Sequence, residues 1–203
     1  TMWTFWTQSE HVGTAQEGAK PDALLATKPG NVVAQPRELS GNRFTALGKW
    51  DVDLEYFVAL PTDTPRYTMR WGADKYPAGT VNYLEPEYQD LLHLQRRDDG
   101  AYLVALFPRR RVDKAPEFSM LGNGTIIKVE GTFGTDWSFL AASPVETVAD
   151  GLHFQGVAAG VQRRGGEMVW NLAAPGRIAD GARSLQADGA VTLRWSAMKA
   201  YRL

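Results

Sequence analysis

Apolar and polar residues alternate along most of this chain in short runs rich in β-branched and aromatic types, and no window sustains the 3.6-residue period of a helix. The runs are Arg43 to Trp50, Asp51 to Leu60, Arg66 to Trp71, Tyr88 to Gln95, Ala101 to Phe107, Thr125 to Glu130, Trp137 to Ala142, Leu152 to Gln162, Glu167 to Leu172 and Val191 to Trp195. In Asp51 to Leu60 the residues Val52, Leu54, Tyr56 and Val58 share one face, and Asp51, Asp53 and Glu55 share the other. That is the pattern of a half-buried strand with a solvated acidic side.

Turn chemistry falls between the runs. Asp98-Asp99-Gly100 separates the His93 strand from the Tyr102 strand, and Gly165-Gly166 separates the Val161 strand from the Met168 strand, so both predict hairpins. Gly122-Asn123-Gly124 and Asp188-Gly189 are further places where a positive φ is cheap. Strands spaced about 8 to 15 residues apart predict an all-β fold, an antiparallel β-sandwich with long loops and little helix. Residues 1–203 are expected to form one sandwich unit, with Thr14 to Ser40 (14–40) as a long loop or covering excursion that alternates only at Asn31-Val32-Val33. A second irregular stretch, Gly72 to Pro86, holds Tyr76 and Tyr83 and follows Trp71; so many aromatics predict that it packs on the sheet or lines a site. The opening Thr1-Met2-Trp3-Thr4-Phe5-Trp6 is neither a basic n-region nor an apolar signal segment, and the chain is expected to be part of a larger multidomain protein.

Composition adds mainly exclusions. The 203 residues are 44% hydrophobic and 22% charged, enough to bury a core without cross-links, and no apolar run approaches the roughly 18 residues of a membrane helix. Twenty-two basic residues nearly cancel twenty-three acidic ones, leaving a net charge of -1, so the reading includes neither nucleic acid nor a membrane among the partners. With no cysteine there is no disulfide framework and no thiolate chemistry, and the compartment stays open on redox grounds. His11, His93 and His153 lie far apart in sequence without HxH or HExxH spacing; the reading therefore names no metal and no cofactor. There is no GxSxG elbow, P-loop or dinucleotide fingerprint, and acidic pairs such as Asp51 with Asp53 or Glu85 with Glu87 are what any polar sheet face supplies.

Two clusters carry candidate chemistry. Phe107-Pro108-Arg109-Arg110-Arg111 ends a strand in a turn and adds to Arg96 and Arg97; guanidinium forks match carboxylates and sulfates, which suits Arg109, Arg110 and Arg111 to an acidic sugar. The plainer alternative pairs these arginines with nearby acids such as Asp113 and Asp98. Trp3, Phe5 and Trp6 with Glu10 and His11 form an aromatic segment ending in titratable groups, so Trp6 and His11 are candidates for sugar contact. The alternative there is core packing by Trp3 and Phe5, an edge covered by Trp6, and His11 on a loop.

Trp3-Thr4-Phe5-Trp6-Thr7, Tyr102 to Arg109 and Lys128 to Leu140, with the later run Phe154 to Val161 and its following Gly165-Gly166, resemble the C-terminal β-sandwich region of heparinase II/III-like polysaccharide lyases, loosely over Phe44 to Trp195. The resemblance implies β-elimination on uronate-containing glycans, with a helical toroid N-terminal to this region supplying a tyrosine and histidines. It implies an acidic polysaccharide or oligosaccharide as ligand, a helical domain or chain as partner, and a secreted or periplasmic location. The family's histidine-rich segment has no counterpart in this sequence, so no catalytic residue is carried across. Two competing readings are a non-catalytic carbohydrate-binding or adhesion module, with exposed aromatics drawn from Trp50, Trp71, Tyr76 and Tyr83, and a self-contained hydrolase with two converging carboxylates.

Overall fold

The structure, a computed structural model, describes residues 2–7, 11–14, 31–33, 37–48, 50–73, 87–96, 98, 100–181, 183–196 and 200–202. Among the described residues the fold is all-β, built of antiparallel sheets packed against each other. Where the sequence pattern drew no boundary, the chain divides into two compact units: residues 1–98 with 105–113, and residues 99–104 with 114–203. Much of the expected loop over 14–40 and most of the irregular stretch after Gly72 lie outside the described residues.

The first unit is built from β1 (Met2–Thr7), β2 (His11–Thr14), β3 (Asn31–Val33), β4 (Arg37–Glu38), β5 (Arg43–Leu47), β6 (Val52–Val58), β7 (Arg66–Ala73), β8 (Glu87–Gln95) and β9 (Val104–Arg110). One sheet runs β1-β8-β7-β3, with β4 also on β7, and the other runs β2-β5-β6-β9. Alternation decides what lies between them. On β8, Leu92 and Leu94 are fully buried, and on the facing sheet so are Phe44, Tyr56 and Val58. The Phe5 ring of β1 meets the Tyr56 ring of β6 edge to face at 5.1 Å, which ties the two sheets together. Burial raises the Tyr56 phenol far above its ordinary range, so this tyrosine stays neutral and acts in packing.

β8 and β9 lie in different sheets, so the hairpin that alternation predicts between them does not form. Turn residues specify that the chain reverses, whereas the partner of β9 is chosen by what its side chains meet on β6. The loop before β7 is held by Arg66, 1% exposed, whose guanidinium donates to the carbonyls of Leu60, Pro61, Thr62 and Thr64 and to Asn42 Oδ1. Burial lowers its pKa, yet arginine keeps its charge in proteins, so those acceptors serve as its compensation.

The second unit is a nine-stranded sheet of β10 (Glu117–Leu121), β11 (Ile126–Gly131), β12 (Gly134–Ala149), β13 (Leu152–Arg164), β14 (Glu167–Leu172), β15 (Gly176–Asp180), β16 (Arg183–Ala187), β17 (Val191–Trp195) and β18 (Ala200–Arg202). The Gly165-Gly166 hairpin forms as expected, pairing Arg164 with Glu167. Asp150 and Gly151, both with positive φ, form the two-residue turn between β12 and β13. The strand expected to stop at Ala142 continues to Ala149 after a register shift between Leu140 and Val145, a stretch that includes Pro144. Beyond the shift β13 leaves β14 and pairs with β15. The inward set changes parity there, from Leu152, Phe154 and Gly156 to Val161. Gly156 has φ 144, and a Cβ there would lie 3.1 Å from the Pro175 carbonyl oxygen. One core spans both halves: the rings of Phe139 and Phe154 are 4.8 Å apart, with Trp170, Leu172 and Ile178 buried in the same cluster.

Candidate functional site

Asp53 and Glu55 point to the face of β6 opposite Tyr56 and Val58, as alternation requires, but this face is not solvated at those positions. Their exposures are 2% and 1%, and only Asp51, at the turn, is open to water. The cover comes from arginines on both neighbouring strands. Glu55 Oε2 accepts from Arg43 Nε at 3.1 Å and Thr45 Oγ1 at 3.0 Å, and its Oε1 accepts from Arg109 Nε at 2.9 Å. Asp53 Oδ1 accepts from Arg111 Nη2 at 3.0 Å, while Arg109 Nη2 stands 3.8 Å from Asp53 Oδ2. Arg111 reaches on to Asp51 Oδ1 at 3.3 Å and to the Gly48 carbonyl at 2.8 Å. Gly48 fits because a Cβ would sit 1.9 Å from the Val52 carbonyl oxygen.

The three candidate arginines thus have different environments. Arg109 is mostly covered, and its remaining donor satisfies the carbonyls of Arg110, Arg111 and Asp113. Arg111 is half exposed and bound to two carboxylates. Arg110 is solvated and holds Asp113 with a two-point fork at 3.0 and 2.9 Å. The Arg110 bond holds the Asp113 carboxyl below its ordinary range. Arg96 likewise pairs with Asp98. These pairings follow the plainer of the two readings of the cluster, and the acids Asp53 and Glu55 are the members that sequence reasoning set aside as solvated. Buried charges are stable only when paired and hydrogen-bonded, so the lattice welds β5, β6 and β9.

Trp6 lies in β1 opposite Leu91 and His11 in β2 opposite Leu47, and their side chains lie outside the described residues, as do Glu10 and the side chain of Trp71. Tyr76 and Tyr83 also fall outside them. Trp50, at the β5–β6 turn, is 87% exposed, and the Arg111 amide donates to the Asp51 carbonyl beside it at 2.7 Å. Among the described residues no group of three or more His, Asp or Glu gathers in metal-binding geometry. Comparison with protein-family models, with curated proteins and with solved structures finds no match to this chain.

Proposed function

We propose that this chain is the β-structured portion of a polysaccharide lyase that acts by β-elimination on uronate-containing glycans, with the catalytic toroid outside the chain. The observation that carries this reading is where two of the lyase-like stretches fall. Lys128 to Leu140 covers most of the β11–β12 hairpin, in register from Ile126 opposite Phe139 to Gly131 opposite Gly134. Phe154 to Val161 lies in β13, the next strand of the same sheet, so these two stretches share one supersecondary unit, while Trp3 to Thr7 falls on β1 and Tyr102 to Arg109 mostly on β9, both strands of the first unit. The charge lattice supports the scaffolding role, because Arg109 and Arg111 hold strands together. Arg110 is the exposed member left to meet a substrate carboxylate, in exchange for Asp113.

The test measures the ultraviolet absorbance of unsaturated uronate products. A panel of uronate polysaccharides is treated with this chain alone and with any helical chain or preceding domain that accompanies it on isolation, identified by intact mass. Elimination by the assembled protein and none by the isolated chain is the expected result. Absence of elimination by the assembled protein on every uronate polymer would sink the reading. Exposure of Trp50 beside Arg111 favours a second reading, a non-catalytic carbohydrate-binding module. That reading predicts loss of glycan binding in Trp50→Ala without any elimination activity to lose.

A further inference from the structure

Residues directly opposite in antiparallel pairs project from the same side of a sheet, with Cβ atoms about 5 Å apart. Across β12, β13, β15 and β16 the registers set Glu146 opposite Gln155, Gln155 opposite Arg177 and Arg177 opposite Gln186. The adjacent rung on the same face is Val148, His153, Ala179 and Ser184. This is the outer face, because the alternate residues Leu152, Phe154 and Ile178 are buried in the core. Glu146, His153, Gln155 and Arg177 are exposed, and Val148 is 55% exposed.

Glu146, His153, Gln155, Arg177, Ala179 and the turn at Gly181 line a concavity of about 250 Å3. A carboxylate, an imidazole, an amide and a guanidinium converge on it. Among the described residues none of these four side chains makes a hydrogen bond or an ion pair, either with one another or with a neighbour. The nearby charges do otherwise: Arg183 closes on Asp180, and Lys128 bridges Glu130 and Asp150. Uncommitted donors and acceptors in one rung form a recognition surface for a ligand that brings the complementary set.

We infer that this rung binds one acidic sugar residue. Arg177 receives the carboxylate through its fork, Gln155 and Glu146 take neighbouring hydroxyls as donor and acceptor, and the C–H face of the ring rests on Val148 beside His153. The volume lies below the roughly 300 Å3 at which drug-sized sites begin, which suits one ring of a longer chain passing over the sheet. A polyanionic phosphate fits worse, because Glu146 stands opposite the strand position next to the cation. Identifying the acid as a uronate rests on the lyase reading; the location of the site does not.

The experiment titrates the 203-residue chain with trimers of galacturonate, glucuronate and mannuronate, and with the methyl-esterified form of the trimer that binds. Binding is followed by calorimetry and by backbone amide shifts. Saturable binding with shifts confined to β13, β15 and their neighbours is expected. Arg177→Gln should weaken it about tenfold, as loss of a charge-assisted pair does, and should abolish the preference for the acid over the ester. Gln155→Ala should weaken both forms. No saturable binding of any of the three trimers overturns the inference, as does binding that survives both Arg177→Gln and Gln155→Ala with the wild-type thermal transition intact. If the assembled protein shows no elimination while the Arg177-dependent binding persists, the lyase reading fails and this site stands.

Discussion

The two charged regions of this molecule use the same residue types in opposite ways. On the outer face of β6 and β9 in the first unit, Arg43, Arg109 and Arg111 are matched to Glu55, Asp53 and Asp51, and both inner acids are sealed from water. On the outer face of β12, β13 and β15 in the second unit, Glu146, Gln155 and Arg177 stand in one rung and make no hydrogen bond or ion pair among the described residues. The difference teaches that charge density along a sequence is a poor guide to charge available for a ligand. The Arg109-Arg110-Arg111 run spends most of its charge on structure, whereas the scattered Glu146 and Arg177 keep theirs.

The comparison breaks most readily at Glu55. Glu55→Ala leaves Arg43 and Arg109 without their shared acceptor, and urea unfolding should show a loss of about 3 kcal/mol, the range for removing one partner of a buried pair. A value near zero would mean that water replaces the carboxylate and that the lattice is not structural. Next in size, Gly156→Ala introduces a side chain at φ 144 against the Pro175 carbonyl, with an expected cost of about 2 kcal/mol in the same measurement. An unchanged midpoint would show that the bend does not need glycine.

A smaller effect is expected at the β12–β13 turn. The Lys128 ammonium, helped by the Trp137 indole N–H at 3.1 Å, holds the Asp150 carboxyl below its ordinary range. A depressed folded-state pKa contributes stability that is present above the unfolded value of about 3.9 and is lost as the pH falls through the lowered one. The thermal midpoint of wild type should therefore exceed that of Asp150→Asn near neutrality, and the gap should close in acid below about pH 4. A gap independent of pH would assign the turn's preference to backbone geometry alone. The least effect belongs to the open rung: Arg177→Gln and Gln155→Ala should each shift stability by no more than about 0.5 kcal/mol, because they break no hydrogen bond or ion pair among the described residues. A large loss there would place these side chains with the lattice.

Alternation made the fold class legible and placed β6 correctly, with Tyr56 and Val58 inward and the acids opposite. It did not reveal what covers the second face. The arginines that seal Asp53 and Glu55 come partly from β9, more than fifty residues later, and period 2 describes only the side to which a residue points. The short strands β15 and β16 left almost no signal, since β15 buries only Ile178 and β16 only partly buries Leu185. Without β15 the pairing of Gln155 with Arg177 was invisible, and His153 read as an isolated histidine. The Asp98-Asp99-Gly100 turn misled for a related reason, because a reversal signal carries no information about which strand waits on the far side.

The pairing of β1 with β8 has a consequence in time. Met2 lies opposite Gln95 and Thr7 opposite Asp90, so the first strand finds its place only after some ninety further residues exist. At 5–20 residues per second of synthesis that is a wait on the order of ten seconds, during which an aromatic-rich edge is without its partner. The β10 to β13 meander needs no such delay, since each strand pairs with the one just made, and local contacts of this kind form fastest. The second unit, although made last, has the shorter route to its native pairing, while the first must hold its opening strand in reserve.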